Sequence, residues 1–210
     1  YKGTVKRIAA EGHELGYHSY SHKNHKSMTT DKIKSDFRTS EEILKEQVFP
    51  ISFMAYNQWH GIDCYPLLLA SFITPNHPCI APVVKRASEH LSHLCGASDF
   101  TGYFCGDKEH VRLQIKAIYQ SLHEEGISFI LNMPTYEEKG QRIRLANEVL
   151  ADKMGNCMDL TLLFAACLEY IGINTLLILE RGHIYLGAWL LPDSHVRSVD
   201  DDLTFLLKKT

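Results

Sequence analysis

The sequence lacks the features that would mark a membrane or secreted protein. No stretch approaches the ~18 uninterrupted apolar residues of a membrane-spanning helix. The opening residues, YKGTVKRIAAEGHELG, contain no apolar signal core. An excess of one charge is also missing, because 22 Lys and Arg are balanced by 25 Asp and Glu. We therefore expect no membrane association, no direct binding of nucleic acid and a cytoplasmic location.

Two further absences exclude particular kinds of metal, redox and nucleotide-binding site. The six cysteines form no C-x-x-C pair, which argues against a zinc ribbon or a thioredoxin-like site. A chain of 210 residues can bury a core without disulfides, so we expect mostly free thiols in a reducing compartment. No G-x-x-x-x-G-K-[ST] loop occurs, and ATP-driven chemistry is not expected of this chain.

What is present divides the chain into three segments. Residues 1–48 are polar and His-rich and end in a helical pattern, TTDKIKSDFRTSEEILKEQ. Residues 49–81 are apolar, aromatic and interrupted by Pro. Residues 82–210 contain two amphipathic helix patterns, PVVKRASEHLSHLCG and DKEHVRLQIKAIYQSLHEEG, a strand-like ISFIL, an alternating QRIRL and a short helix, ANEVLADKMG, ending at Gly155.

The segment from Asn156 to the C-terminus predicts the fold class. Asn156 is a good N-cap for the helix CMDLTLLFAACLEYIG, which is apolar nearly all round and is therefore predicted to be buried and central. Three strand patterns follow, NTLLILE, HIYLGAWLL and HVRSVD, and then a helix, DDLTFLLKK. Helices followed by an antiparallel meander indicate an α+β fold, with residues 1–48 as a short N-terminal helical arm.

A cysteine, a histidine and two aspartates could form a nucleophilic site. Cys157 opens the central helix, and a helix N-terminus stabilises a thiolate. His183 opens a strand after that helix, and Asp200 or Asp201 ends the next strand pattern, so we expect these groups to lie together. Asp159 is interpreted as a complement to the positive helix N-terminus.

The segment RIRLANEVLADKMGNCMDLTLLFAACLEYIGINTLLILERGHIYLGAWL resembles the core of transglutaminase-like (papain-like) cysteine peptidases. YNQWHG, FITPNHP, GQRIRL and DDLTFLLKK resemble a bacterial subgroup whose parent proteins also carry helicase modules. The resemblance covers about residues 53–210. It implies Cys157 as nucleophile, His183 as base, Asp200 as the group that orients the base, an amide or peptide substrate, and no cofactor. Whether this domain turns over a substrate or is a non-catalytic module of a larger helicase-containing protein stays open.

Other residues near this site have less specific interpretations. An acyl-transfer site needs a donor for the oxyanion, and the candidates are the backbone N–H of Cys157 and the side chain of Gln141. Cys167 is predicted to be a small buried hydrophobe and Trp59 a core residue. Residues 74–78, TPNHP, are predicted to form a Pro-locked turn.

The N-terminal histidines resemble a second family. IAAEGHELGYHSYSH is similar to the second motif of NodB-type polysaccharide deacetylases, H-[ST]-x-x-H, which here is formed by His18 and His22. The resemblance implies a divalent metal, typically zinc, held by these two imidazoles and a carboxylate. Tyr17 replaces the usual Asn, and the family's T-F-D-D-G motif, with its metal ligand and catalytic base, would lie upstream of Tyr1. Residues 1–48 are therefore interpreted as a truncated piece of such a deacetylase, which acts on C–N bonds other than peptide bonds. A solvated helical arm without metal is the alternative.

Overall fold

The structure is a computed structural model. It describes residues 29–45, 55–62, 66–131, 141–180, 182–192 and 199–202, with side chains from 29 to 39 in the first of these ranges. The chain divides into two compact units, Tyr1–Phe53 and Met54–Thr210, and each is described by itself.

The first unit contains one described helix, α1 (Thr30–Lys45), which confirms the helix predicted there. Asp31 lies in its first turn, where an acidic side chain complements the positive helix N-terminus. The spacing of Ile33 and Phe37 in the sequence indicates an apolar face, but Phe37 is 37% exposed and Asp36 is buried. The helix was predictable, but the face that it buries was only partly so.

The second unit mixes helices with short strands, which confirms the α+β class. Its helices are a 3-10 helix (Pro66–Phe72), α2 (Ile80–Cys95), α3 (Lys108–Glu124), α4 (Ala146–Asp152) and α5 (Cys157–Tyr170). Its strands are β1 (Gln58–Trp59), β2 (Ser128–Phe129), β3 (Gln141–Arg142), β4 (Met154–Gly155), β5 (Thr175–Glu180) and β6 (His183–Ala188). Among the described residues, no helix is long and apolar enough to cross a membrane.

Helices α2 and α3 pack against each other and end as their sequences predict. Gly96 follows α2 in a left-handed conformation, with its N–H bonded to Ser92 O at 2.8 Å. Asp107 caps α3 by accepting from Glu109 N at 3.0 Å. Ser121 Oγ on α3 donates to Val83 O on α2 at 2.8 Å. These bonds satisfy polar groups at the helix ends and between the helices.

Helix α5 is the central element, as predicted from its apolar sequence. Nine of its fourteen residues are buried, including Leu163, Ala166 and Cys167. One side packs with α2, α3 and α4 around Ile80, and the other side packs around Trp59. Trp59 and Cys167 are each 0% exposed, which confirms both as core residues.

The strands form three two-stranded sheets within the described residues. β5 and β6 are antiparallel, with Glu180 opposite His183, and β1 and β3 are antiparallel, with Trp59 opposite Gln141. β2 and β4 are parallel, which the sequence did not predict. Of the predicted meander, β5 and β6 are present, while residues 193–198 and 203–210 lie outside the described residues, so the third strand and last helix stay predictions.

One predicted helix end was wrong, and the structure gives the reason. Helix α4 ends at Asp152 and not at Gly155, because Lys153 already has a left-handed backbone (φ 53°) and Met154 and Gly155 pair with β2. Gly155 serves a different purpose, since a Cβ atom there would lie 3.2 Å from Asp159 Cβ. The glycine allows the chain to pass close to the start of α5.

The loop between α2 and α3 is held by a buried amide. Gln114 is 0% exposed. Its Oε1 accepts from the N–H groups of Thr101 and Gly102 at 3.0 and 2.9 Å, and its Nε2 donates to Gly102 O at 2.9 Å. Gly102 has φ +54°, and a Cβ atom there would lie 2.9 Å from Ile171 O. The loop is thereby fixed against the end of α5.

Candidate functional site

The candidate thiol site begins with the cap of α5. Asn156 Oδ1 accepts from Asp159 N at 3.0 Å, and Asp159 Oδ2 accepts from Asn156 N at 3.0 Å. This reciprocal pair is a capping box, which satisfies donors that the helix itself leaves unpaired. The predicted N-cap is confirmed. The first turn of α5 is therefore rigidly defined, and Cys157 is its first residue.

Asp159 does more than complement the helix dipole. Its side chain is 0% exposed, and besides the cap it accepts from Arg144 N at 2.9 Å and pairs with Arg144 Nη1 at 3.1 Å. A buried carboxylate is stable only when it is well paired, and this one receives three donors. The pair ties the segment between β3 and α4 to the start of α5. The Asn-x-x-Asp spacing indicates the cap, but nothing in the sequence indicates the arginine.

Cys157 is half-buried at the start of α5. It packs against a cluster that contains Trp59, Leu162 and Ile184. The N–H of Cys157 makes no hydrogen bond to any described residue, as is normal for the first residue of a helix. The thiol thus lies beside an N-terminal donor that could face an oxyanion.

His183 opens β6 and is exposed. Its ring meets the ring of Tyr185 edge-on, with centroids 4.5 Å apart. Side chains alternate along a strand, so His183 and Tyr185 share one face of β6. Ile184 occupies the other face, is 2% exposed, and packs in the cluster that Cys157 touches. The fold thus brings β6 to the start of α5 but directs the imidazole to the opposite face of the strand.

The remaining members of the predicted triad stay predictions. Asp200 and Asp201 lie in the short described segment 199–202, which is not a strand, and Asp200 Oδ1 accepts from Asp202 N at 3.0 Å. Within the described residues, the His183 ring is hydrogen-bonded neither to Cys157 nor to an aspartate. The structure places β6 beside the start of α5 without forming either of the two hydrogen bonds that a Cys-His-Asp triad requires among the described residues.

Gln141, the other candidate donor for an oxyanion, lies in β3 and is 6% exposed. It is opposite Trp59 in the β1–β3 pair, and the next strand position is held by Ile143 N donating to Asn57 O at 2.8 Å. Ile143 belongs to the cluster that Cys157 packs against. Gln141 therefore lies opposite one residue of that cluster, Trp59, and its role as an oxyanion donor stays a prediction.

The predicted metal ligands His18 and His22 lie outside the described residues. Among the described residues, no group of three His, Cys, Asp or Glu side chains could hold a metal ion. The two imidazoles suit zinc chemically, but catalytic zinc sites use three protein ligands, so this pair needs a third ligand from elsewhere.

One comparison with known proteins gives a match. The family model for polysaccharide deacetylase matches residues 1–53, about a quarter of the chain, and this span contains the His18–His22 motif. No curated protein and no solved structure matches the chain. The family match thus supports the resemblance that the N-terminal histidines suggested.

Proposed function

We propose that residues 1–53 are part of a metal-dependent polysaccharide deacetylase, a hydrolase that cleaves the C–N bond of an N-acetyl group and not a peptide bond. The observation that carries this proposal is the family match over residues 1–53. His18 and His22, four residues apart, would supply two ligands to a divalent cation. The cation would act as a Lewis acid toward the acetamido carbonyl.

This function predicts metal binding that depends on two particular histidines. The full chain, incubated with zinc, should bind the metal through this motif, whereas acetate release also needs the base of the T-F-D-D-G motif. His18→Ala and His22→Ala should each lower metal content at least tenfold, because each removes a ligand. His25→Ala is the matched control, since it lies in the same segment but outside the motif. Equal metal content in all four proteins would refute the assignment.

A second candidate function belongs to residues 54–210. We propose thiol-dependent acyl transfer to water or an amine, with Cys157 as nucleophile, His183 as base and Asp200 or Asp201 orienting the base. It is favoured by the position of Cys157, half-buried at the capped start of a helix of 14 residues. Because His183 lies on the opposite face of β6, its ring must swing around the start of the strand to reach the thiol.

Cys157→Ala tests this second function directly. It should abolish any amide hydrolysis by the full chain while leaving the fold intact, since Cys and Ala are both small. Cys105→Ala, which changes an exposed thiol in a loop, should leave the activity unchanged. Turnover by Cys157→Ala at the rate of the parent protein would remove Cys157 from the mechanism. The domain would then be interpreted as a non-catalytic module, of the kind found in helicase-containing proteins.

A further inference from the structure

A second thiol–imidazole contact lies away from Cys157. Cys79 Sγ is 3.0 Å from His77 Nδ1, and Cys79 N donates to the same nitrogen at 3.3 Å. The predicted turn at residues 74–78 creates this contact, because His77 N bonds to Thr74 O at 3.1 Å and Ile80 N bonds to His77 O at 3.0 Å. Two successive turns fold the ring back over the chain that carries the thiol.

The two contacts define which form of the imidazole is present. A backbone N–H can only donate, so His77 Nδ1 must offer a lone pair, and the ring is the neutral tautomer with its proton on Nε2. The same lone pair faces the thiol of Cys79. Burial raises the pKa of the Cys79 thiol above its ordinary value, so the sulfur needs a base to take its proton before it can attack.

Cys79 is partly exposed to solvent. The residue is half-buried immediately before α2, and it packs beside the core that contains Ile80 and Cys167. The other described cysteines, Cys95, Cys105, Cys157 and Cys167, make no hydrogen bond to an imidazole within the described residues. Cys79 is thus distinguished from them by a base in hydrogen-bonding contact with its sulfur.

We propose that His77 and Cys79 form a base-assisted thiol that reacts with low-molecular-weight disulfides, so that Cys79 is a site of mixed-disulfide modification. Cys79 Sγ attacks one sulfur of the disulfide, a new S–S bond forms, and the old S–S bond breaks. The thiol proton passes to His77 Nδ1, and the departing thiolate takes up a proton to leave as a thiol. Cys79 is oxidised and the departing sulfur is reduced, so no other oxidant is needed.

The test compares cysteines within the same protein. The full chain is incubated with glutathione disulfide at neutral pH, and the modification of each cysteine is followed by mass spectrometry. Cys79 should be modified faster than the more exposed Cys95 and Cys105, because only its proton has a base in place. In urea the three rates should become similar. Modification of Cys79 in the folded protein at or below the rate of Cys95 would overturn the proposal.

Variants of His77 distinguish its proposed role as a proton acceptor from its structural role in the turn. In His77→Asn the side-chain oxygen can still accept from Cys79 N, but it cannot take up a proton, so the rate at Cys79 should fall about tenfold or more. His77→Ala should show the same loss, and His110→Ala, which changes a partly buried histidine on α3, should show none. An unchanged rate in His77→Asn, with an unchanged circular dichroism spectrum, would show that His77 is not the base.

Discussion

The buried ion pair at the start of α5 offers the sharpest test of the structure. Asp159→Ala would leave Arg144, whose side chain is 27% exposed, without its partner. It would also leave the N–H groups of Asn156 and Arg144 without the acceptor that they contact at 3.0 and 2.9 Å. Removing one member of a buried ion pair costs about 3–5 kcal/mol. We expect the free energy of unfolding to fall by that amount, which is a large part of the ~5–15 kcal/mol of a typical domain.

Urea unfolding measures this loss, and Trp59, which is fully buried, should report it by fluorescence. Asp159→Asn is the informative companion, because it keeps one oxygen acceptor and the volume but removes the charge, so it should lose about half as much. A double-mutant cycle with Arg144→Met should give a coupling energy of at least ~1 kcal/mol. A loss below ~1 kcal/mol in Asp159→Ala would refute the reasoning, since it would mean that water replaces the carboxylate at no cost.

Two other predictions concern stability. A non-glycine residue in a left-handed conformation costs ~1–2 kcal/mol. Gly102→Ala should lower the free energy of unfolding by more than this in the same urea assay, because its Cβ would clash with Ile171 O. Gly106→Ala is the control, since Gly106 has φ +67° and open space around it, so this variant should show only the backbone cost. Burial raises the pKa of Cys167 to about 12, so the folded state holds this proton longer than the unfolded state does. The contribution of the protonated Cys167 thiol to the free energy of unfolding should be complete below pH ~9 and should decline by about 1.4 kcal/mol per pH unit above it. Unfolding experiments at a series of pH values should show this decline in the parent protein and not in Cys167→Ala.

The helices of this protein are readable from sequence because their ends carry local signals. Asp107 and Asn156 cap α3 and α5 through side-chain oxygens, and Gly96 ends α2 with a left-handed backbone. Each signal acts within three or four residues, so no knowledge of the fold is needed. Apolar residues on nearly every face of α5 likewise indicate that the helix is buried, but they do not indicate which elements pack against it.

Pairings between distant segments could not be predicted in this way. The parallel contact of β2 with β4 joins Ser128 to Met154, and two-residue strands are too short to carry a periodic pattern. The bond from Arg144 to Asp159 depends on how α4 and α5 approach each other. His77 and Cys79 are only two residues apart, yet their contact depends on a turn and a side-chain rotamer that the amino-acid sequence alone does not specify.

The candidate thiol site shows how far the order of residues in the sequence can predict a functional site. The order of Cys157 and His183 predicts that β6 begins beside the start of α5, and in the structure Ile184 and Cys157 belong to one cluster. A strand has two faces, however, and a shift of one residue exchanges them. With Ile184 in the core, His183 shares the outer face with Tyr185. The order of residues along the chain therefore indicates that two elements are neighbours, while the pleat of the strand decides whether their functional groups can meet.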